Sequence, residues 1–108
     1  MENLDGKVAI VTGAARGLGR AYAVHLAKHG ARVVAGDVRD CNETANEIEQ
    51  AGGKALAVHL DVGETASCEA MAAATLERFG RIDALINNAA LYGGLDSARA
   101  DAIDEEEW

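Results

Sequence analysis

The 108-residue sequence contains no proline, and only 4% of it is aromatic. Without proline nothing interrupts a backbone N–H ladder, which suits long unbroken helices and strands. With so few rings, a core must rest on Ala, Val, Leu and Ile. Cysteine is scarce: Cys41 and Cys68 stand far apart, without metal-ligand spacing. They read as buried or idle thiols in a reducing compartment, and the cytoplasm is the expected location. No stretch approaches the roughly 20 apolar residues of a membrane span, and the acidic, polar start MENLDGK does not resemble a secretory signal. Positive charge is short, with 10 Lys and Arg against 18 Asp and Glu for a net charge of -8. That balance argues against a nucleic-acid backbone or an anionic membrane as partner, and otherwise serves solubility.

What is present is ordinary for one globular domain: 49% hydrophobic and 26% charged residues. The pattern alternates. KVAIVT (Lys7–Thr12), entered through Asp5-Gly6, is a short β-branched apolar run that predicts a buried strand. Gly17 to about His29 predicts a helix with Leu18, Tyr22 and Leu26 on its buried stripe and Gly30 as the stop. RVVAGD (Arg32–Asp37) is a second strand. Asn42–Ala51 is a weaker helix with Ala45, Ile48 and Ala51 on one side, closed by Gly52-Gly53.

KALAVHLD (Lys54–Asp61) predicts a third strand. The next helix is the clearest, with Cys68, Met71, Ala72, Thr75, Leu76 and Phe79 on one stripe and Gly80 at its end. Asp83–Asn87 is a fourth strand. Strands alternating with helices of this length mean βαβ units and a parallel sheet with helices on both faces. Ala89–Ala102 then reads as a loop. IDEEEW carries the signals of a helix start: Asp104 as N-cap, Glu107 completing a capping box, and Ile103 and Trp108 as a hydrophobic staple. The alternative is a frayed acidic tail. An isolated turn has no net stability, so the chain reads as truncated.

TGAARGLG (Thr12–Gly19) sits between the first strand and the first helix. A helix N-terminus exposes unpaired N–H groups and about half a positive charge, which makes it an anion site. Gly13 turns the chain sharply; Gly17 and Gly19 remove Cβ atoms where a pyrophosphate and the neighbouring strand come close. The spacing is G-x-x-x-G-x-G, and no Gly-Lys-Ser/Thr of a Walker A loop follows. An acid is expected roughly 20 positions on, at the end of the second strand, where it accepts the adenosine ribose hydroxyls; Asp37 stands 18 residues after Gly19. The alternative for Asp37 is a helix or turn cap.

Together TGAARGLG, Asp37, LDV (Leu60–Val62), NNAA (Asn87–Ala90) and DEEEW (Asp104–Trp108) closely resemble the N-terminal part of the short-chain dehydrogenase/reductase family, across essentially the whole chain. The resemblance implies an α/β fold: a Rossmann-type doubly wound parallel sheet whose first four strands run in the order 3-2-1-4. It makes residues 1–108 one NAD(P)-binding domain, the N-terminal part of a single-domain enzyme. By the same resemblance Gly13, Ala15, Arg16, Gly17, Leu18 and Gly19 wrap the cofactor diphosphate. Asp61 lies beside the adenine amino group with the Val62 backbone next to it. Asn88 and Ala89 line the adenosine ribose and nicotinamide side, while Asn87 bonds the backbone of neighbouring strands. The family's NNAG ends here in Ala90 instead of Gly. Asp37 would repel the 2′-phosphate of NADP, whereas Arg16 and Arg39 pull the other way; NAD is the expected cofactor.

The family's reaction is hydride transfer between nicotinamide and an alcohol or carbonyl carbon, using a tyrosine with a lysine four residues later, a serine and an asparagine. None of that set can be placed: Tyr22 is followed four residues later by Leu26, and Tyr92 by Asp96. Tyr22 reads as core, and Tyr92 at best borders a substrate pocket. His25 and His29 share a helix face without a third ligand, His59 reads as structural, and Glu105–Glu107 as a solvated helix start, so no metal site is assigned. Two functions remain: the cofactor-binding half of an oxidoreductase, by itself inactive, or a free-standing non-catalytic dinucleotide-binding or interaction module. The resemblance further implies a small-molecule substrate and a homo-oligomer, dimer or tetramer.

Overall fold

A strand whose residues are apolar on both sides needs cover on both of its faces, which is the condition of a central parallel strand. The computed structural model, which describes residues 3–88, puts β1 (Val8–Thr12) in that place, with all of its residues buried. It is followed by α1 (Gly17–Lys28), β2 (Arg32–Asp37), α2 (Asn42–Gln50), β3 (Lys54–His59), α3 (Thr65–Phe79) and β4 (Ala84–Asn87). The four strands form one parallel sheet in the order β3-β2-β1-β4. This is the α/β doubly wound arrangement read from the sequence. Register levels the strand ends: Thr12 pairs with Gly36 on one side and Asn87 on the other, and Asp37 with His59.

Alternation along the strands sorts the core into two layers. Val11, Val33, Ala35 and Ala55 join Ala23 of α1 and Ala45 and Ile48 of α2. Ile10 and Val34 face the other way, onto Met71 of α3 and Leu60. Among the described residues no helix is long and apolar enough to cross a membrane.

The bounds of α1 and α2 agree with the sequence pattern to within a residue, α3 ends before Gly80 as expected, and Leu26 packs on the core, but the buried faces otherwise differ. In α1 the buried residues are Gly19 and Ala23, while Leu18 is 58% and Tyr22 43% exposed. Tyr22 is therefore not core. Gly19 faces inward because the helix starts against the Gly13 carbonyl, where a Cβ does not fit, and Ala23 one turn on has little bulk to bury. In α2, Ala51 is exposed and Thr44 is buried beside Ala45 and Ile48; Ala51 is already the C-cap, where the chain leaves the helical course. In α3 the buried centre is Met71 and Thr75, with Leu76 turned out to solvent. The Thr75 hydroxyl donates to the Met71 carbonyl at 2.8 Å, which satisfies it inside the apolar layer. β3 stops at His59, two residues short of the predicted Asp61. The readings placed on Ala89, Ala90, Tyr92, the 89–102 loop and the capping signals at 103–108 lie outside the described residues.

Candidate functional site

The level C-terminal strand ends converge on the turn between β1 and α1. Gly13 and Gly17 both adopt positive φ, 65° and 61°, a region that other residues occupy only with strain. A Cβ on Gly17 would meet nothing within 4 Å, so its demand is conformational and the space beside it is open. Gly19 is the opposite case. Its Cβ would collide with the Gly13 carbonyl oxygen and come within 2.9 Å of the Asn88 amide. Arg16 is the N-cap of α1 in extended conformation and supplies no side-chain cap. The first N–H groups of a helix have no partner inside it, so this end of α1 offers donors and the positive end of its dipole.

The turn is held by hydrogen bonds from both neighbours. The Ala14 N–H donates to the Gly36 carbonyl at 3.2 Å, and the Ala14 carbonyl accepts from the Thr44 hydroxyl at 2.8 Å. The Ala15 N–H donates to Asp37 Oδ2 at 3.0 Å, and the Arg39 N–H to Oδ1 at 3.0 Å. Asp37 is only 5% exposed, so its carboxylate caps the turn, the alternative the sequence left open. A carboxylate has about four acceptor positions; two backbone donors fix its plane and leave others for a hydroxyl-bearing ligand.

The remaining strand ends add polar and apolar groups. The Asp61 N–H donates to Ser67 Oγ at 2.9 Å, and Asp61 Oδ1 accepts the Gly63 N–H at 2.9 Å. Val38 and Val62 stand exposed at 57% and 45%, after β2 and β3 respectively. Asn88, 6% exposed, reaches the Gly13 carbonyl through Nδ2 at 3.4 Å. Asn87 braces β1 through its side chain, its Oδ1 accepting from the Thr12 hydroxyl at 3.1 Å. Asn87, expected to bond the backbone of neighbouring strands, contacts β1 through the Thr12 side chain, while Asn88 is the residue that reaches turn backbone. Burial, aided by Asp37 and Asp40, pushes the Cys41 thiol up to about 12, and it stays protonated.

Hydrogen bonds and close packing bring together Gly13, Ala15, Gly19, Asp37 and Asn88, with Arg16, Gly17 and Leu18 at the exposed helix start. Asp61 and Val62 follow the next strand end; Ala89 lies outside the described residues. Sequence reasoning missed Thr44, whose hydroxyl holds Ala14 from a helix thirty residues away in sequence. No local signal marks it, because its partner is set by how α2 seats on the sheet. A groove of about 830 Å³ lined by Asp5, Lys28, Arg32 and Lys54 opens at the other end of the strands. Ligands of open α/β sheets bind outside the carboxyl ends, so that groove is not the candidate.

A family model described as short chain dehydrogenase matches residues 7–108. The chain is 40% identical over 111 residues to an uncharacterized oxidoreductase of Methylorubrum extorquens, covering 100% of this chain and 44% of that protein. A hydroxysteroid dehydrogenase structure from Escherichia coli superposes with a TM-score of 0.77 at 38% identity, over 79% of this chain and 37% of the other. A carveol dehydrogenase from Mycobacterium avium, solved in complex with NAD, superposes with a TM-score of 0.76 at 28% identity, over 82% and 37%. The chain spans less than half the length of each of these proteins.

Proposed function

This chain belongs to the short chain dehydrogenase family, and from that premise we propose that residues 1–108 form the NAD-binding unit of an oxidoreductase. The observation that carries the reading is the buried Asp37 carboxylate, aligned by the Ala15 and Arg39 N–H groups beside the open start of α1. The residues fit the cofactor: Gly17 leaves space where a side chain would intrude, and the N–H groups at the start of α1 suit a diphosphate.

In this proposal Gly13, Ala15, Arg16, Gly17, Leu18 and Gly19 wrap the diphosphate. Asp37 accepts the adenosine ribose hydroxyls and, by its charge, disfavours a 2′-phosphate, which selects NAD over NADP. Val38 and Val62 flank the adenine with Asp61 at its amino group. Asn88 and Ala89 line the ribose and nicotinamide side, with Asn88 also steadying Gly13. When bound, NAD supplies hydride exchange with an alcohol or carbonyl carbon of a small molecule. The whole protein is proposed to be a cytoplasmic dimer or tetramer. The likeness to a family neighbour solved with NAD supports this reading.

No Tyr-x-x-x-Lys occurs in the 108 residues, and no group here is assigned to proton transfer. The alternative reading is a non-catalytic dinucleotide-binding module, in which the chain holds NAD without turning it over. Calorimetric titration with NAD and NADP tests the shared part. The wild type should prefer NAD, and Asp37→Ala should weaken NAD about tenfold or more while narrowing the preference. Unchanged NAD affinity in that variant would remove Asp37 from the site.

A further inference from the structure

The peptide joining Ala14 to Ala15 is gripped at both ends. Its oxygen accepts from the Thr44 hydroxyl at 2.8 Å, and its N–H donates to Asp37 Oδ2 at 3.0 Å. A trans peptide is planar, with C=O and N–H pointing in opposite directions, so whatever holds the oxygen also aims the N–H. Thr44 is fully buried at 0% exposure, in the first turn of α2 beside Ala45 and Ile48. Its β-branched side chain has few rotamers in a helix. Were the peptide to flip, the Ala14 carbonyl would face the Asp37 carboxylate, acceptor against acceptor. The Thr44 hydroxyl would at the same time lose its partner where water does not reach.

We propose that Thr44 is a positioning residue of this site: through the 14–15 peptide it sets the direction of the Asp37 carboxylate, and so the affinity for an adenosine ribose with free hydroxyls. The inference rests on the NAD-binding reading above. Without the aimed Ala15 N–H, Asp37 keeps only the Arg39 N–H on its other oxygen and pivots about that bond. Two acceptor positions that matched a cis-diol then no longer hold one plane.

The test combines NAD titration with amide hydrogen exchange at Ala15, on Thr44→Val, which keeps shape and removes the hydroxyl, and Thr44→Ser, which keeps the hydroxyl. Thr44→Val should bind NAD about tenfold more weakly and exchange the Ala15 amide faster, and Thr44→Ser should restore both. In an Asp37→Ala background Thr44→Val should cause no further loss of NAD affinity, because its effect runs through that carboxylate. An equal loss in that background, or an Ala15 amide indifferent to Thr44→Val, would overturn the proposal. If Thr44→Val does not fold, Thr44→Ala replaces it in the same cycle. A wild-type chain that binds no NAD, while Thr44→Val still loosens Ala15, defeats the NAD reading and the ribose role together but leaves the pinned peptide standing.

Discussion

The two faces of the sheet are finished differently. On the α1/α2 face the buried layer is built from small residues, Ala14, Ala23, Ala31, Ala35, Ala45 and Ala55, with Ile48 as its largest fully buried side chain. Small residues let helices lie close to the strands, and the layer closes. On the α3 face larger side chains, Ile10, Leu60 and Met71, form a smaller cluster. Leu76, Ile82 and Leu85 remain 50%, 39% and 47% exposed around it. Among the described residues, one helix packs on this side of the sheet against two on the other. The turn that holds the candidate site is bonded into the α1/α2 side through Thr44, so the site draws its rigidity from that face.

Breaking the closed face should have the largest effect. Ile48→Ala, at 1% exposure, is expected to cost about 2–5 kcal/mol in urea or thermal unfolding. Leu76→Ala on the open face should stay within about 0.5 kcal/mol. Similar losses for the two would mean that the faces are not different in the way described.

The seam between the closed face and the site comes next. Gly19→Ala pushes a methyl into the Gly13 carbonyl, which is backbone and yields poorly. It should destabilise by about 1–3 kcal/mol and, under the proposed function, abolish NAD binding in calorimetry. A variant of full stability would show that the turn can move away.

The smallest expected effect sharpens the open edge. Arg81, and then the Val8 N–H, hold the Asp83 carboxyl below its ordinary value. The bonds are 2.7 Å to Arg81 and 2.8 Å to Val8, and they tie the entry of β4 to the start of β1. A folded pKa below the unfolded one stabilises the chain above the unfolded pKa, and the contribution is lost as pH falls through the folded value. Unfolding midpoints should therefore drop below about pH 4, and Asp83→Asn should flatten that part of the profile. A profile unchanged by the substitution would assign the loss to other carboxyls.

Much of this was legible from residues alone. The β-branched runs at 8–11 and 32–35 and the glycine stops marked strands and helices. The spacing from Gly19 to Asp37 pointed to one end of the sheet. The stripe of α1 was misread because Leu18 and Tyr22 are hydrophobic by type, whereas burial went to Gly19 and Ala23 for their lack of bulk. Asp37 was legible as an acid at a strand end, but its capture by the Ala15 and Arg39 N–H groups was left as an alternative. That Asn88 also reaches the Gly13 carbonyl, while Asn87 meets the Thr12 hydroxyl, was illegible, because only the packed strand end decides which amide meets which partner.

The sequence by itself determined the alternation of elements, their parallel pairing and the place of the glycine turn, because periodicity and backbone preference are local properties. Only the tertiary structure decided which flank of α1 is buried, that Thr44 grips Ala14, and that Met71 and Thr75, not Leu76, form the buried centre of α3. Those outcomes depend on which distant atoms meet, and a hydroxyl or an apolar flank carries no mark of its partner until the elements are packed.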